Sequence, residues 1–340
     1  MLKVRVPATT ANLGPGFDAL GLALDIYNTV TVMPSEKGVS LEIKGEGEQF
    51  LPLDENNLLI KAAQRVFDKA GYNPGGLFWV QENRIPLESG MGSSAAAIVA
   101  GVCAANALLP RPFSEEEITD LAVQIEGHPD NIAPALFGGL TISYPREEDP
   151  QQRLDFALRE GCENGFGVIR TGVPPGLHLV LAVPETRLST KKSRGVLPRQ
   201  VSFEDAAFNV GRTAALVASL MNGQGEHLKE ACRDRLHQPY RFSLMPGVDK
   251  VVEAALRAGA QGCALSGAGP SVAAYWVETG EGSSTFRDRP SSEFAPSSSA
   301  DHTTSTGRSV ASAMQEAFAA AGTGCRIFPA RPDAEGTVIL

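Results

Sequence analysis

The spacing of hydrophobic residues predicts a chain in which strands and helices alternate. Alternating or continuous apolar runs predict strands in the first half at residues 3–6, 22–32, 39–44, 77–80 and 140–144. Apolar residues three or four positions apart predict helices at residues 57–70 and 114–126, and an alanine-rich run predicts another at 95–108. Gly71 and Gly127 are expected to end two of these helices, because glycine is favoured just after a helix.

The second half continues this mixture after a charged connection at residues 145–160. Strands are predicted at residues 177–183, 262–266, 272–277 and 325–328, and helices at residues 203–221, 227–231, 248–258 and 309–321. Residues 279–306 are rich in serine, threonine and glycine. We expect this segment to be a disordered surface insertion without a fold of its own, because it has too few apolar residues to form a core.

The stretch between the strand at residues 77–80 and the alanine-rich helix is typical of an anion-binding turn. Gly90 and Gly92 let the backbone approach a ligand closely, and Ser93 and Ser94 follow at the expected start of the helix. The first turn of a helix has unpaired N–H groups, which favour an anion such as phosphate. An ordinary turn with a serine cap is the alternative that these residues alone leave open.

A loop at residues 12–21 places polar side chains among glycines. Pro15 stands between two glycines, which indicates a loop of defined shape, and Asn12 and Asp18 are its polar residues. Such a pair can receive an ammonium group, or it can form a turn that only shapes the loop.

A second polar cluster follows the helix at residues 114–126. Glu126 lies at the C-terminus of that helix, where its charge opposes the helix dipole, and His128, Asp130 and Asn131 follow within six positions. The cluster can hold Mg²⁺ through one carboxylate and leave an amide for a substrate. A solvated helix end is the alternative.

The net charge of the chain limits the classes of partner that it is expected to bind. A net charge of −9 argues against nucleic acid and against an anionic membrane surface as partners. Arg194 and Arg241 stand in polar stretches, where an arginine is usually a surface charge.

The five cysteines have no C-x-x-C spacing, so we expect free thiols in the cytoplasm rather than disulfides or a zinc site. The first residues lack the apolar segment of a signal peptide, and no run is long enough to span a bilayer.

The common nucleotide-binding motifs are either missing from this sequence or matched only weakly. The Walker pattern G-x-x-x-x-G-K-[ST] does not occur, which excludes a P-loop of that type. Residues 14–19 and 90–95 both match G-x-G-x-x-A. A predicted strand follows the first match, and the second lacks the acidic residue that would bind a ribose, so the dinucleotide interpretation is weak.

Three motifs, taken together, resemble those of the GHMP kinases. Residues 7–18 are PATTANLGPGFD, residues 86–96 are PLESGMGSSAA, and residues 265–271 are LSGAGPS. The second and third motifs are shared across that family, and the resemblance implies that the third packs near the second. The first motif, with EGHPDN at 126–131 and HQPYR at 237–241, is similar to the branch that uses homoserine. The resemblance covers nearly the whole chain except residues 279–306.

This resemblance implies an α+β fold of two domains with the active site between them. Residues 1–155 would form a domain like domain 2 of ribosomal protein S5, with a left-handed β-α-β crossover that opposes the usual hand. Residues 156–340 would form a ferredoxin-like domain that carries the insertion at residues 279–306.

The resemblance also implies an ATP loop and a magnesium site. Ser94 and Glu126 match the Mg²⁺ ligands of the family, and Glu126 is also expected to act in catalysis. The loop residues that match the ATP site are Pro86, Leu87, Glu88, Ser89, Gly90, Met91, Gly92, Ser93, Ser94, Ala95 and Ala96.

The implied substrates are ATP and L-homoserine. Asn12 and Asp18 match the residues that hold the ammonium group of the amino acid, and Arg194 and Arg241 match those that hold its carboxylate. A carboxylate and guanidinium groups suit a zwitterion, since paired Arg–carboxylate hydrogen bonds are strong and directional. His128 and Thr190 complete the expected substrate contacts, and Asn131 and Arg194 complete the expected catalytic group.

The resemblance finally implies a mechanism without an aspartate base. Relatives such as mevalonate kinase have an aspartate where this chain has Asn131, although Asp130 is adjacent. Phosphoryl transfer needs positioning and charge neutralisation more than a base, because its transition state is loose. Two alternatives stay open: a GHMP kinase for another small alcohol such as mevalonate, and a non-catalytic relative that only binds nucleotide or amino acid. The sequence leaves the oligomeric state open, with a homodimer as one option.

Overall fold

The computed structural model of the 340-residue chain describes residues 1–36, 38–146, 165–174, 176–278 and 304–340. Nearly all of the expected charged connection at residues 145–160 lies outside the described residues. The same is true of residues 279–303 of the expected insertion. Within the described parts, strands and helices are numbered in chain order.

The first unit is built on a seven-stranded sheet. Its path runs β11-β1-β2-β4-β3, and β5 pairs with both β2 and β6. All pairs are antiparallel except β3 and β4. The strands are β1 (Leu2–Ala11), β2 (Leu20–Pro34), β3 (Val39–Gly45), β4 (Leu77–Asn83), β5 (Leu140–Pro145), β6 (Phe166–Thr171) and β11 (Val338–Ile339).

Four helices pack with this sheet: α1 (Leu58–Ala70), α2 (Ser93–Leu108), α3 (Glu115–Glu126) and α4 (Pro129–Phe137). The alanine-rich helix α2 is buried along its whole length from Ala95 to Ala105. A helix that is apolar on all sides is a core helix, so its N-terminus is fixed by packing rather than by surface polarity. The segment that enters this helix is therefore held rigidly.

The second unit is a four-stranded antiparallel sheet with the order β10-β7-β9-β8. If the four strands are numbered 1 to 4 in chain order, their order in the sheet is 4-1-3-2. Helices follow the first and the third of these strands, and this arrangement is ferredoxin-like. Its elements are β7 (Leu177–Pro184), α5 (Thr190–Gly195), α6 (Phe203–Asn222), α7 (Leu228–Ala231), α8 (Gln238–Arg241), α9 (Val248–Arg257), β8 (Gly262–Leu265), β9 (Val272–Val277), α10 (Ser305–Ala320) and β10 (Cys325–Ala330).

The expected α+β fold is confirmed, and all the predicted strands and helices are present. The pattern missed two strands, β6 and β11, and three short helices, α4, α5 and α8. Helix α4 has prolines at its first and sixth positions, so local propensity argues against it. None of the helices in the described ranges is long and apolar enough to cross a membrane.

Two expected boundaries differ from the structure. Strands β6 and β11 pair within the first sheet, although both lie beyond residue 155, where the second domain was expected to begin. Such pairings join distant segments and leave no local signature. The expected insertion, residues 279–306, also extends too far along the chain. Thr304 caps helix α10 and Ser305 begins this helix, so the last residues of the expected insertion belong to α10.

Thr304 offers a test of that corrected boundary. Its Oγ1 accepts a hydrogen bond from the backbone N–H of Gly307 at 3.1 Å. Thr304→Ala should lower the free energy of unfolding by about 1 kcal/mol in urea denaturation, because the N–H group loses its capping partner. Thr304→Ser, which keeps the hydroxyl, should stay close to the parent protein. An alanine variant as stable as the parent would contradict the cap.

Candidate active site

A cavity of about 220 Å³ lies where the two units meet. The first unit contributes the segment that enters α2, the loop after β1 and the turn between α3 and α4. The second unit contributes α5, α8 and the loop between β8 and β9. The residues that line the cavity are Asn12, Asp18, Glu88, Ser89, Gly90, Gly92, Ser93, Ser94, Glu126, His128, Asp130, Asn131, Leu188, Ser189, Thr190, Arg194, Arg241, Gly267, Ala268 and Gly269.

Helix α2 begins at this cavity without a side-chain cap. Gly92 is its N-cap, has a left-handed φ of 71°, and provides no side chain to accept from the first-turn N–H groups. A Cβ at Gly92 would collide with the Thr9 hydroxyl, so glycine is required there for space as well as for conformation. The uncapped N–H groups of α2 therefore face the cavity as donors for an anion.

The two glycine-rich motifs are joined by hydrogen bonds. We call residues 86–92 the first glycine loop and residues 266–271 the second. Ser266 Oγ donates to the carbonyl of Gly90 at 2.7 Å, and the Ser271 N–H donates to the carbonyl of Ser89 at 3.1 Å. The second unit thus holds the first glycine loop through two serines, and the expectation that the two motifs pack together is confirmed.

The N-terminal loop, residues 12–18, is a strained turn shaped by its own polar residues. Asn12, Leu13 and Asp18 all have left-handed φ values, between 50° and 66°. The Asn12 amide donates to the carbonyl of Gly267 at 2.9 Å, and its oxygen accepts from the N–H of Asp18 at 3.0 Å. Asn12 therefore shapes the loop through its own hydrogen bonds. This is one of the two roles that the sequence left open for Asn12 and Asp18, the other being to receive an ammonium group.

The second unit holds three successive carbonyls of the N-terminal loop. The donors are Tyr275 Oη to Leu13 at 3.1 Å, His237 Nε2 to Gly14 at 2.6 Å, and Asn209 Nδ2 to Pro15 at 3.1 Å. Thr213 Oγ1 also donates to the carbonyl of Pro15, at 3.0 Å. These bonds fix the position of Asp18 relative to the second unit.

Asp18 of the first unit and Arg194 of the second form a bidentate ion pair on one wall of the cavity. Arg194 Nη1 and Nη2 lie 3.0 Å and 2.7 Å from the two carboxylate oxygens of Asp18. The ring of Phe17 lies under the guanidinium groups of both Arg194 and Arg241, at 5.6 Å and 5.4 Å. One carboxylate and two guanidinium groups, separated by about 180 to 220 residues in the sequence, therefore share one wall of the cavity.

Arg241 is buried with part of its guanidinium group unpaired. Its exposed fraction is only 1%, and Nη1 donates to the carbonyl of Gly267 at 3.1 Å. Its Nε has no hydrogen-bond partner in the described part of the chain. Burial, together with the nearby Arg194, lowers the pKa of Arg241 to about 10, so the side chain stays charged at neutral pH. A buried, incompletely paired cation is a favourable place for an anionic group of a ligand.

His237 orients both Arg241 and the N-terminal loop. A carbonyl oxygen only accepts, so His237 Nε2 carries the proton that it donates to Gly14, and Nδ1 is then the acceptor 3.1 Å from Arg241 Nη1. Burial is the largest influence on the pKa of His237 and lowers it, although Asp234 opposes this effect. The imidazole is therefore neutral, which is the state that can accept from Arg241.

Glu126 and Ser94 meet at another part of the cavity wall. Ser94 Oγ donates to Glu126 Oε2 at 2.6 Å, and His128 Nε2 lies 4.0 Å from Glu126 Oε1. Burial raises the pKa of Glu126, and this effect outweighs the opposing influence of His128 and Ser94. A carboxylate that burial penalises in this way gains most from a nearby cation.

His128, Asp130 and Asn131 form a connected polar group. His128 Nδ1 lies 2.6 Å from Asp130 Oδ1, which also accepts from Asn131 Nδ2 at 3.2 Å. Burial lowers the pKa of His128, but Asp130 and Glu126 outweigh it and raise the pKa to about 9. Thr9 Oγ1 donates to Asn131 Oδ1 at 2.7 Å, so both ends of the Asn131 amide are fixed.

The cavity gathers most of the residues that the sequence singled out. All expected substrate-binding and catalytic residues line it, as do six of the eleven loop residues. Pro86, Leu87, Met91, Ala95 and Ala96 do not line it, and all of these except Leu87 are buried behind the loop. Their contribution to nucleotide binding stays a prediction.

Sequence reasoning missed four residues that shape the site: Thr9, Phe17, Ser189 and His237. Thr9, Phe17 and His237 stand inside quoted motifs but were given no role. Ser189 is the N-cap of α5, the helix that presents Thr190 and Arg194 four residues apart on one face. A serine before a short polar helix was the signal available for it.

Family models match both units of the fold. The N-terminal domain of the GHMP kinases matches residues 57–139, and the C-terminal domain of the same family matches residues 213–275. These ranges contain the first glycine loop, the turn between α3 and α4, and the second glycine loop. The fold is therefore that of the GHMP kinases.

Comparison with whole proteins narrows this class. A homoserine kinase from Carboxydothermus hydrogenoformans is 38% identical over all of this chain and 97% of its own length. One from Moorella thermoacetica is 44% identical over 81% of this chain and 87% of its own. The crystal structure of homoserine kinase from Cytophaga hutchinsonii superposes with a TM-score of 0.79 and 29% identity, covering 100% of this chain and 97% of that one. The chain belongs to the homoserine kinase family of the GHMP kinases.

His237 provides a stability test of the contacts between the units. His237→Phe keeps an aromatic ring beside Phe17 but leaves the Gly14 carbonyl and one Arg241 donor unpaired. We expect the free energy of unfolding to fall by about 2–4 kcal/mol, since each buried unpaired group costs about 1–3 kcal/mol. The matched control is His227→Phe, at a site that is 60% exposed, which should change stability by less than about 0.5 kcal/mol.

The His237→Phe variant also tests how the stability of the protein depends on pH. The folded state keeps His237 neutral, whereas the unfolded chain binds a proton below the ordinary pKa of 6.5. The stabilising contribution of His237 is therefore present above that pH and is lost as the pH falls. Between pH 7.5 and 5.5 the stability of His237→Phe should decline less steeply than that of the parent protein, in urea titrations. Parallel declines would contradict a neutral His237.

Proposed function

We propose that this protein transfers the γ-phosphoryl group of ATP to the side-chain hydroxyl of L-homoserine, giving O-phospho-L-homoserine and ADP on the route to threonine. The observation that carries this proposal is the wall of the cavity on which Asp18 stands beside Arg194 and Arg241. Opposite charges at short distance suit the ammonium and carboxylate groups of an amino acid. We place the reaction in the cytoplasm, where ATP is available.

The nucleotide end of the proposed site is the start of α2. The uncapped N–H groups behind Gly92 and the hydroxyls of Ser93 and Ser94 are donors for the phosphates of ATP. Both glycine loops lie along this end, and a Cβ at Gly90 would collide with the carbonyl oxygen of Ser266, so their close contact requires glycine. The chain thereby replaces the lysine of a Walker motif with backbone donors.

Magnesium is proposed to lie beside Ser94 and Glu126. A hydroxyl and a carboxylate are hard oxygen ligands of the kind that Mg²⁺ prefers, with phosphate oxygens and waters completing its shell. The described residues contain no cluster of three or more His, Cys, Asp or Glu side chains that could hold a metal alone, which fits an ion shared with a nucleotide. The raised pKa of Glu126 supports a cation there. When bound, the ion would neutralise charge on the phosphates.

The amino acid is proposed to exchange partners with the Asp18–Arg194 pair. Asp18 would accept from the ammonium group, and the guanidinium groups of Arg194 and Arg241 would donate to the carboxylate. The ammonium group of the substrate would thus replace Arg194 as the partner of Asp18. The carboxylate of the substrate would replace Asp18 as the partner of Arg194 and would also pair with Arg241. Thr190 from the second unit and His128 from the first also line the cavity and would contact the remaining part of the substrate.

The hydroxyl is proposed to lie near Asn131, and its proton to pass to a phosphate oxygen. Asn131 is held by Thr9 and Asp130, so its amide can position a hydroxyl without itself accepting a proton. Burial raises the pKa of Asp130, but contact with His128 outweighs it, and the net pKa is lowered. A carboxylate with a low pKa is a poor base, which supports transfer by positioning and charge neutralisation.

A substrate screen tests the proposed function directly. ADP release should be measured in a coupled assay with homoserine, mevalonate and serine as acceptors. We expect turnover with homoserine, little with serine, whose hydroxyl is one methylene shorter, and none with mevalonate. Turnover with mevalonate but not homoserine would assign the chain to another GHMP kinase activity. Absence of turnover with every acceptor would indicate a binding protein.

The proposed magnesium site has a matched pair of variants on one helix. Glu126→Gln at the end of α3 should lower kcat by about 100-fold or more and raise the Mg²⁺ concentration for half-maximal rate, because transition-state stabilisation of several kcal/mol is lost. Glu115→Gln, exposed at the start of the same helix, should leave both quantities near the parent values. An unchanged Mg²⁺ dependence in Glu126→Gln would remove Glu126 from the metal site.

A further inference from the structure

Thr9 is a buried threonine at the point where three segments of the first unit meet. It lies on β1 and is fully buried, and its backbone N–H donates to the carbonyl of Met91 at 3.1 Å. Its hydroxyl donates to Oδ1 of Asn131 on α4 at 2.7 Å. A Cβ at Gly92 would collide with this hydroxyl and would lie 3.1 Å from Asn131 Oδ1. The hydrogen bond between Thr9 and Asn131 therefore occupies space that only a glycine at the start of α2 leaves free.

The chemistry of Asp130 decides which end of the Asn131 amide faces Thr9. Burial raises the pKa of Asp130, but contact with His128 outweighs this effect, so the net pKa is lowered and the carboxylate is ionised at neutral pH. An ionised carboxylate only accepts hydrogen bonds. The end of the Asn131 amide that lies 3.2 Å from Asp130 Oδ1 is therefore the NH₂ group, and the oxygen faces the Thr9 hydroxyl.

The bond to Thr9 turns the oxygen of the Asn131 amide towards the protein interior and leaves a donor for a ligand. Nδ2 of Asn131 carries two N–H groups, and within the described parts of the chain Asp130 alone accepts from it. One N–H group is therefore available. Asn131 lines the cavity together with Gly92 and Ser93 at the start of α2, where the donors for phosphate lie.

We propose that Thr9 is a positioning residue that keeps an N–H of Asn131, rather than its oxygen, directed at the hydroxyl that receives the phosphoryl group. A hydroxyl oxygen that accepts from this N–H has a second lone pair for the γ-phosphorus of ATP. As the new O–P bond forms, the bond from the γ-phosphorus to the ADP oxygen breaks, and the hydroxyl proton passes to a phosphate oxygen. This inference rests on the proposed function, because it concerns the hydroxyl of the amino-acid substrate.

The contacts of Thr9 separate it from the groups proposed to hold the charges of the amino acid. In the described part of the chain its hydroxyl bonds to Asn131, and not to Asp18, Arg194 or Arg241. A substrate would therefore keep its contacts with these three side chains if the Thr9 hydroxyl were removed. The loss should appear in turnover and leave the binding of the charged groups unchanged.

The first test compares variants of Thr9 with and without the hydroxyl. Thr9→Val, which has the same shape, should lower kcat for homoserine by about 10- to 100-fold, because misplacing a reacting group by about 1 Å can cost about 100-fold. Thr9→Ala is a second variant without the hydroxyl and should show the same loss. Thr9→Ser keeps the hydroxyl and should restore most of the parent rate.

Binding is measured separately with L-2-aminobutyrate, which is homoserine without its hydroxyl. Its inhibition constant should be the same for the parent protein and for all three Thr9 variants. The matched control is Thr119→Val on α3, where a buried threonine hydroxyl donates to the carbonyl of Glu115 at 2.6 Å. This control loses a hydrogen bond of similar length away from the cavity and should keep the parent kcat.

The second test is a double-mutant cycle between Thr9 and Asn131. Thr9→Val should lower kcat in the parent protein but cause no further loss in the Asn131→Ala background, because Thr9 acts through Asn131. A residue with a merely structural role would cause the same loss in both backgrounds. A cooperative thermal transition establishes that each variant is folded.

The possible outcomes separate this inference from the proposed function. Parent turnover of homoserine with an unchanged kcat in Thr9→Val overturns the inference alone. A loss that Thr9→Ser does not restore, a weakened binding of L-2-aminobutyrate that accounts for the loss, or equal losses in the two backgrounds of the cycle also overturn it. A parent protein that does not phosphorylate homoserine overturns the proposed function and this inference together.

Discussion

The candidate site depends on one set of contacts, the hydrogen bonds by which the second unit holds the N-terminal loop of the first. Three successive carbonyls of that loop accept from Tyr275, His237 and Asn209. The loop has left-handed backbone at three non-glycine residues, a conformation that an isolated segment does not favour. The second unit therefore supplies both the anchoring of the loop and the arginines that face it. The distance between Asp18 and those arginines follows from these contacts.

The charged side chains that these contacts bring together are not all fully hydrogen-bonded. Arg241 is buried, and its Nε is without a partner in the described structure, while Asp18 and Arg194 are paired with each other. A buried ionic group with missing partners costs stability, and proteins keep such groups mainly where function requires them. A zwitterionic ligand brings one charge of each sign and can satisfy all three side chains together. This arrangement supports the proposal that the same cavity takes an amino acid beside these charges and phosphate beside the start of α2.

Local sequence signals predicted the parts of this molecule that local physics determines. The glycine turn before an alanine-rich helix indicated the first glycine loop, and the capping box and terminal glycine predicted α3. The roles of Asp18, Arg194 and Arg241 came from the family resemblance, since those residues alone are ordinary surface types. Their meeting joins segments more than 170 residues apart, which no local pattern encodes. His237 was missed for the same reason, because its importance lies in two contacts that only the assembled units create.

The central claim is that the cavity recognises both charges of its amino-acid substrate, and substrate analogues test it most directly. Initial rates of ADP release should be compared for homoserine, for 4-hydroxybutyrate, which lacks the ammonium group, and for 3-aminopropanol, which lacks the carboxylate. We predict that each analogue loses roughly 10⁴-fold in kcat/KM, because a buried charged group of the site is left unpaired. Rates within about tenfold of homoserine for either analogue would contradict the account.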